Sequence, residues 1–408
     1  MVALTATSDN VINTVSKNSL GFDGLPQDTR VVVAMSGGVD SSVVAALLAE
    51  EGYDVVGITL QLYDHGEAVK SKGACCAGSD IHDARMVAAK LGIKHYVLDY
   101  ESKFKDQVMD DFADSYLRGE TPIPCVRCNQ TVKFTDLLKT ARDLGAKCLA
   151  TGHYVRRHED GDVIRLKRGV DPTKDQSYFL FATTPDQLDY LRFPLGGMDK
   201  AETRDHAKRF GLMIADKPDS QDICFVPNGR YGDVVRKLRP GAVEAGDIIH
   251  HDGTVLGHHN GVIDYTIGQR RGLGIGGRKA DDASQHEDNT PLYVVGINAA
   301  QHQVIVGPKD LLECPMVYIN DVNWLSDQMP HDGLPVLARL RNTAAALPAR
   351  ITAWPDKANG VAEITLDTPQ FGIAAGQAAA LYDTENPDIL IGGGWITAAP
   401  TKAQIKQP

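Results

Sequence analysis

The stretch that most constrains this chain is Arg30-Val31-Val32-Val33-Ala34-Met35-Ser36-Gly37-Gly38-Val39-Asp40-Ser41-Ser42, which runs straight into Val43-Val44-Ala45-Ala46-Leu47-Leu48. A short β-branched apolar run reads as a buried strand, and the alanine- and leucine-rich run behind it reads as a helix. Between them, two glycines and three serines let backbone N–H groups and hydroxyls approach a polyanion closely. The helix would aim the positive end of its dipole at the same anion. No lysine stands where a Walker A loop requires one, so the usual NTP-hydrolysing loop is a poor match.

At 408 residues the chain exceeds one ordinary core, and two or three domains are expected. Hydrophobic content of 43% and charged content of 23% are those of a soluble globular protein. No apolar run approaches the ~20 residues of a bilayer span. Residues 1–27 are polar and lack the apolar core of a signal peptide, so a disordered lead-in is expected. Seven cysteines, an odd number, do not make a secreted disulfide framework. A reducing cytoplasm is the expected compartment, where unpaired cysteines invite a catalytic or metal reading. The net charge of −11 argues against indiscriminate nucleic-acid binding but permits a selective RNA contact through local basic patches.

From about Thr29 to Tyr154 strand and helix patterns alternate: strands at 53–60, 94–99 and 148–151, and a helix through Leu91 with Ser79-Asp80 as its cap. That alternation predicts a parallel sheet wrapped by helices, with ligands at the carboxyl ends of the strands. A charged helix is read over 199–211. After Cys224, glycine-punctuated strand-like pieces predict a small β-rich domain over 224–308 and a β-barrel over 309–400, behind an α/β domain over 28–223. The polar stretch 278–289 reads as an exposed or disordered loop.

The second chemical clue is Thr121-Pro122-Ile123-Pro124-Cys125-Val126-Arg127-Cys128-Asn129. Two prolines stiffen the approach to a Cys-x-x-Cys. A thiol near a helix N-terminus and beside Arg127 should ionise below the free value of ~8.5. A structural zinc site would need a second pair, and the adjacent Cys75 and Cys76 have poor geometry for chelating one ion. Cys224 follows a polar run at the join of two textures, where catalysis and core packing are evenly balanced readings. Cys148 and Cys314 read as buried and inert.

The Ser-Gly-Gly-x-Asp-Ser pattern resembles the PP-loop of ATP pyrophosphatases. Together with Pro-Cys-x-x-Cys-Asn, it precedes Ala150-Thr151-Gly152-His153-Tyr154, Lys174-Asp175-Gln176-Ser177-Tyr178-Phe179-Leu180, Ser220-Gln221-Asp222-Ile223-Cys224-Phe225 and Tyr265-Thr266-Ile267-Gly268-Gln269-Arg270-Arg271-Gly272. In that order these motifs resemble the bacterial tRNA-specific 2-thiouridylases, over nearly all of the chain from Arg30 to Ile396. The resemblance implies an α/β PP-loop domain of the adenine nucleotide alpha hydrolase type with a parallel sheet. A small β-rich central domain and a C-terminal β-barrel would follow.

What the resemblance implies chemically is sulfur transfer to the wobble uridine of tRNAs for Lys, Glu and Gln. ATP, with Mg²⁺, would adenylate the 2-carbonyl oxygen. A persulfide on Cys224, loaded by a sulfur-carrier or cysteine desulfurase protein, would attack the activated carbon, with Cys128 as second thiol. A Cys128–Cys224 disulfide would follow. By motif matching Ala34, Met35, Ser36, Gly37, Gly38, Val39, Asp40, Ser41, Ser42 and Gly152 would bind ATP, with Leu60 against the adenine. Asp40 could equally hold the loop. Ile123, Pro124 and Cys125 would face the target base. His153, Lys174, Asp175, Gln176, Arg339, Arg341 and Gln377 would contact tRNA, the two arginines sharing one strand face. Arg270 and Arg271 are further phosphate candidates. His153 capping a strand end and Lys174 as solvated surface remain the bland readings.

One departure stands out: familiar members carry an aspartate where this chain has Cys125. Cys125, Cys128 and Cys224 could hold three irons of a [4Fe–4S] cubane, a second route to the same product. Outside the family, an amidotransferase-type synthetase would share the loop but has no use for two spaced thiols. A nucleotide-sensing binding module is the non-enzymatic alternative.

Overall fold

A computed structural model of the chain describes residues 17–63, 76–161, 163–219, 223–226, 229–275, 291–326, 332–354 and 360–401. Its first sheet is parallel and contains β1 (Arg30–Ala34), β2 (Asp54–Gln61), β3 (Lys94–Asp99), β4 (Cys148–Ala150) and β7 (Leu191–Arg192), in the order β3-β2-β1-β4-β7. Val31, Val32 and Val33 are fully buried, as a central strand covered on both faces requires. Strand order reverses beside β1, where the chain passes to β2 on one side and β4 on the other. In an open α/β sheet that crevice is where ligands bind.

Helix α1 (Val39–Glu50) follows β1, and α2 (Cys76–Leu91) lies between β2 and β3. Helix α2 begins at Cys76, so Ser79 and Asp80 stand inside it rather than capping it. The segment α3 (Pro124–Cys128) continues without a break into the wider turns of Asn129–Leu137 and then Leu138–Asp143. Helix α4 (Lys200–Arg209) starts at a capping box in which Asp199 and Glu202 exchange side chain-to-backbone hydrogen bonds.

The central β-rich unit holds β8 (Gly246–His250), β9 (Val255–His259), β10 (Tyr293–Asn298) and β11 (Gln303–Gly307), in the order β10-β11-β8-β9, with helix α5 (Tyr231–Leu238) beside it. The last unit is a barrel of β12 (Glu313–Trp324), β13 (Leu334–Arg339), β14 (Leu347–Trp354), β15 (Val361–Phe371), β16 (Ala378–Tyr382) and β17 (Ile389–Ala398), closed by the β12–β17 pairing. Closure leaves no free sheet edge among those six strands.

The hairpin β5 (Val155–Asp160) and β6 (Val163–Arg168) lies within the span 28–223 read as the α/β domain, and β6 pairs with β17, extending the barrel's sheet. The first domain and the barrel are therefore stitched by backbone hydrogen bonds. Residues 17–27, read as part of a disordered lead-in, are ordered. Leu20 is buried in the core around β1, its carbonyl accepts from Arg192 Nε at 2.8 Å, and Phe22 lies under the same guanidinium at 4.5 Å. Residues 1–16, Cys75 and the stretch 278–289 lie outside the described residues.

Candidate active site

The turn after β1 is held by its own hydroxyls. Ser36 N donates to Ser41 Oγ at 3.0 Å, and Ser42 Oγ donates to Gly38 O at 2.8 Å. Met35 N and Met35 O are taken by Ile58 O and Thr59 Oγ1 of β2. Gly37 has a φ of +76°, and a Cβ there would collide with the Asp80 carbonyl. Gly152, just past β4, comes so close to α1 that a Cβ would stand 2.9 Å from Ser41 N. Two glycines thus keep side chains out of the space in front of the first turn of α1, where N–H groups have no intrahelical acceptor. That cradle fits a polyphosphate.

Charge surrounds the cradle. Lys200 Nζ lies 2.6 Å from Asp40 Oδ1 and 2.9 Å from Asp219 Oδ1, and Lys174 reaches Asp219 Oδ2 at 2.7 Å. Tyr154 donates its hydroxyl proton to Asp40 Oδ1 at 2.9 Å. Lys217 Nζ bonds Gly37 O at 3.0 Å and both Asp80 and Asp83 at 2.6 Å. Burial alone would lower the Lys217 ammonium, but its two carboxylate partners outweigh that and raise it. Asp40 therefore holds the loop here, through Lys200 and Tyr154. Sequence reasoning missed Lys200 and Lys217 altogether, because their partners lie 160 and 180 residues away.

Leu60, at the carboxyl end of β2, touches two cores, one of them the cluster that contains Cys128, Phe225 and Val226. Tyr63 donates to Cys224 O at 2.6 Å, and Phe225 packs edge-on against Phe104 and Phe112. These contacts bring Cys224 to the same wall as Cys128. Both are free thiols; Cys128 is buried and Cys224 keeps solvent-accessible surface. Crowding of the Cys224 sulfur by protein, reinforced by Cys128 and Cys125, pushes its thiol up to about 12. Burial raises Cys128 likewise. A thiol activated below the free value is thus overturned for the resting state. Arg127 does not serve the sulfur: it turns to Asp111 at 3.4 Å and stacks on Trp395. The cation that does lower both thiols against burial is Lys133.

Over residues 29–228 the chain matches the family described as tRNA methyl transferase HUP domain. Residues 235–308 match the tRNA methyl transferase PRC-barrel domain, and 315–396 the aminomethyltransferase beta-barrel domain. It is 63% identical to the tRNA-specific 2-thiouridylase MnmA of Rhodospirillum centenum over 94% of this chain and 95% of that one. For the enzymes of the same name from Maricaulis maris and Paracoccus denitrificans the identities are 55% (96% and 94% covered) and 57% (93% and 94%). The chain belongs to the tRNA-specific 2-thiouridylase family.

The positions that resemble this family's tRNA contacts are engaged within the molecule. His153 packs between Phe134 and Phe193 with Nδ1 2.8 Å from Thr151 Oγ1, and burial pushes it down to about 3, a neutral ring. Asp175 and Arg339 form an ion pair at 3.0 Å across the seam between first domain and barrel. Gln176 accepts from Tyr154 N at 2.9 Å. Gln377 donates to Thr121 O, and Arg341 to the carbonyls of Phe371 and Gly372. Arg339 and Arg341 do not share a strand face: β13 ends at Arg339. Arg339 borders a cavity of about 580 Å³ with Arg156 and Arg168, whereas Arg341 borders one of about 510 Å³ with Thr121, Gln269 and Gln377. The [4Fe–4S] alternative on Cys125, Cys128 and Cys224 finds no support. Among the described residues no group of three or more His, Cys, Asp or Glu side chains is placed to hold a metal, Cys125, Cys128 and Cys224 included.

Proposed function

We propose that this chain is an ATP-dependent tRNA sulfurtransferase that converts the wobble uridine of tRNAs for Lys, Glu and Gln to 2-thiouridine. The observation that supports this most is a glycine-lined phosphate cradle following β1, while the end of the adjacent strand β2 meets two free cysteines: Leu60 packs against the cluster that holds Cys128, and Tyr63 bonds Cys224 O. The descriptions of the matched domains speak of methyl transfer and the relatives' names of thiolation. A phosphate loop beside paired thiols favours sulfur chemistry.

A uridine carbonyl has no leaving group. Attack of its O2 on the α-phosphate of ATP releases pyrophosphate and turns that oxygen into the leaving group AMP. The cradle's N–H donors stabilise charge on the departing pyrophosphate. Mg²⁺ carried by the nucleotide would add to that stabilisation through the phosphate oxygens, while Asp40 stays with Lys200 and Tyr154 to hold the loop. The terminal sulfur of a Cys224 persulfide then forms the C2–S bond as the C2–O bond to AMP breaks. Attack of Cys128 on the Cys224 sulfur leaves the thiocarbonyl and a Cys128–Cys224 disulfide, which two electrons from a reductant reopen. The attacking group must be soft and ionised near neutral pH, which fits a persulfide better than a thiol.

The accessible surface of Cys224 suits loading by a sulfur-carrier or cysteine desulfurase protein. Among the described residues no helix is long and apolar enough to cross a membrane. A tRNA substrate supports a cytoplasmic reaction. The test is incubation of the purified chain with ATP, Mg²⁺, a cysteine desulfurase with cysteine as persulfide donor, a thiol reductant and an unmodified tRNA transcript. Nucleoside mass spectrometry should find 2-thiouridine at the first anticodon base. ATP consumption without any thiolated nucleoside would contradict the proposal.

A further inference from the structure

The turn that carries Cys125 and Cys128 is the first of the helical segment that runs on to Asp143. It starts at Pro124 with no side-chain cap and opens into wider turns immediately after Cys128. What brackets it comes from the other end of the chain. Thr121 N donates to Ala375 O at 2.8 Å, and Gln377 Nε2 donates back to Thr121 O at 2.8 Å. Both backbone groups of one residue are thus taken by the segment that enters β16. Gly376, between the acceptor Ala375 and the donor Gln377, has a φ of +85°, and a Cβ there would press within 3.1 Å of Thr121. At the far end of the turn the Arg127 guanidinium lies over the Trp395 ring of β17, 4.8 Å from its centroid.

We propose that the C-terminal barrel positions Cys128 through two latches, Gln377 on Thr121 and Trp395 on Arg127, making Gln377, Trp395 and Arg127 positioning residues for the sulfur step. The barrel is thereby part of the catalytic apparatus, coupled to the thiol helix across 256 residues of sequence. Releasing either latch lets the helix leave the apolar wall formed with Phe225 and Val226. The proposal rests on Cys128 being the second thiol of the proposed reaction.

The test uses the full chain with Gln377→Ala, Trp395→Leu and the conservative Trp395→Phe, which keeps a ring beneath Arg127. Three rates are read: iodoacetamide alkylation at each cysteine by peptide mass spectrometry, ATP-dependent pyrophosphate release, and tRNA thiolation. Gln377→Ala and Trp395→Leu should each raise Cys128 alkylation about tenfold and lower thiolation about tenfold, as loss of one hydrogen bond or cation–π contact implies. Pyrophosphate release should stay within about twofold of the parent in Trp395→Leu, and Trp395→Phe should restore both sulfur readouts. Cys148, buried in β4, is the internal control for general unfolding. If it is alkylated faster in Trp395→Leu, Gln377→Ala decides alone. Cys128 alkylation unchanged in Gln377→Ala would overturn the proposal. Faster alkylation with unchanged thiolation would support the latch and remove Cys128 from the sulfur step.

Discussion

Lys200 Nζ sits 2.6 Å from Asp40 Oδ1, so the first turn of α4 neutralises the carboxylate on the first turn of α1. Lys200 is only 13% exposed, and removing it would leave Asp40 and Asp219 without their shared cation. Lys200→Met should weaken ATP binding about tenfold and cost about 1–3 kcal/mol of stability. Calorimetric titration with ATP and a thermal melt check this; unchanged affinity would contradict the electrostatic account of the loop.

Asp219 carries a pH signature. Burial by itself would raise its carboxyl, but hydrogen bonds from Lys174 and Lys200 outweigh it and hold it at about 2. A carboxyl depressed on folding adds stability above its unfolded value of ~3.9, and that stability is lost as pH falls toward 2. The contribution is on the order of 1 kcal/mol once solvent screening is allowed for. Denaturant titrations from pH 5 to about 2.5 should show this slope, and Asp219→Asn should flatten it.

Gly37 tolerates no side chain, because its φ of +76° and its contact with the Asp80 carbonyl both exclude a Cβ. Gly37→Ala should destabilise the domain by more than about 1 kcal/mol and depress pyrophosphate release at least tenfold. Gly38 has an ordinary φ of −88° and an added Cβ 3.5 Å from Ser36 Oγ, so Gly38→Ala should be the milder change. Equal effects in a pyrophosphate-release assay would contradict the steric reading.

The thiols supply a second pH prediction. With Cys224 pushed up to about 12, its alkylation in the resting enzyme should be slow at pH 8 and rise nearly tenfold per pH unit up to about 11. Lys133→Met removes the cation that opposes burial, so alkylation of Cys128 and Cys224 should slow several-fold at fixed pH. Arg127→Met should slow neither in that way, since its guanidinium faces Asp111 and Trp395.

What could be read from the sequence was local. The strand, the two glycines and the serine hydroxyls of 30–42 lie within one turn of each other, so their spacing already specifies the cradle. Phosphate-loop lysines were illegible because Lys200 and Lys217 reach it only through tertiary packing. For the same reason the sheet that β6 joins was illegible: its pairing with β17 at Lys167–Ile389 and Leu166–Leu390 spans more than 200 residues of sequence. Arg127 adjoins Cys128 in sequence but leaves it in space, whereas Lys133, five residues on, is the charge the sulfurs feel.

Cys224→Ser tests the central claim most directly, assayed with ATP, a tRNA transcript, a cysteine desulfurase with cysteine as persulfide donor and a thiol reductant, for pyrophosphate release and 2-thiouridine in the same tube. Pyrophosphate release should persist within about twofold while thiolation disappears, because adenylation belongs to the cradle and sulfur delivery to this cysteine. Thiolation at the parent rate in Cys224→Ser would contradict the account.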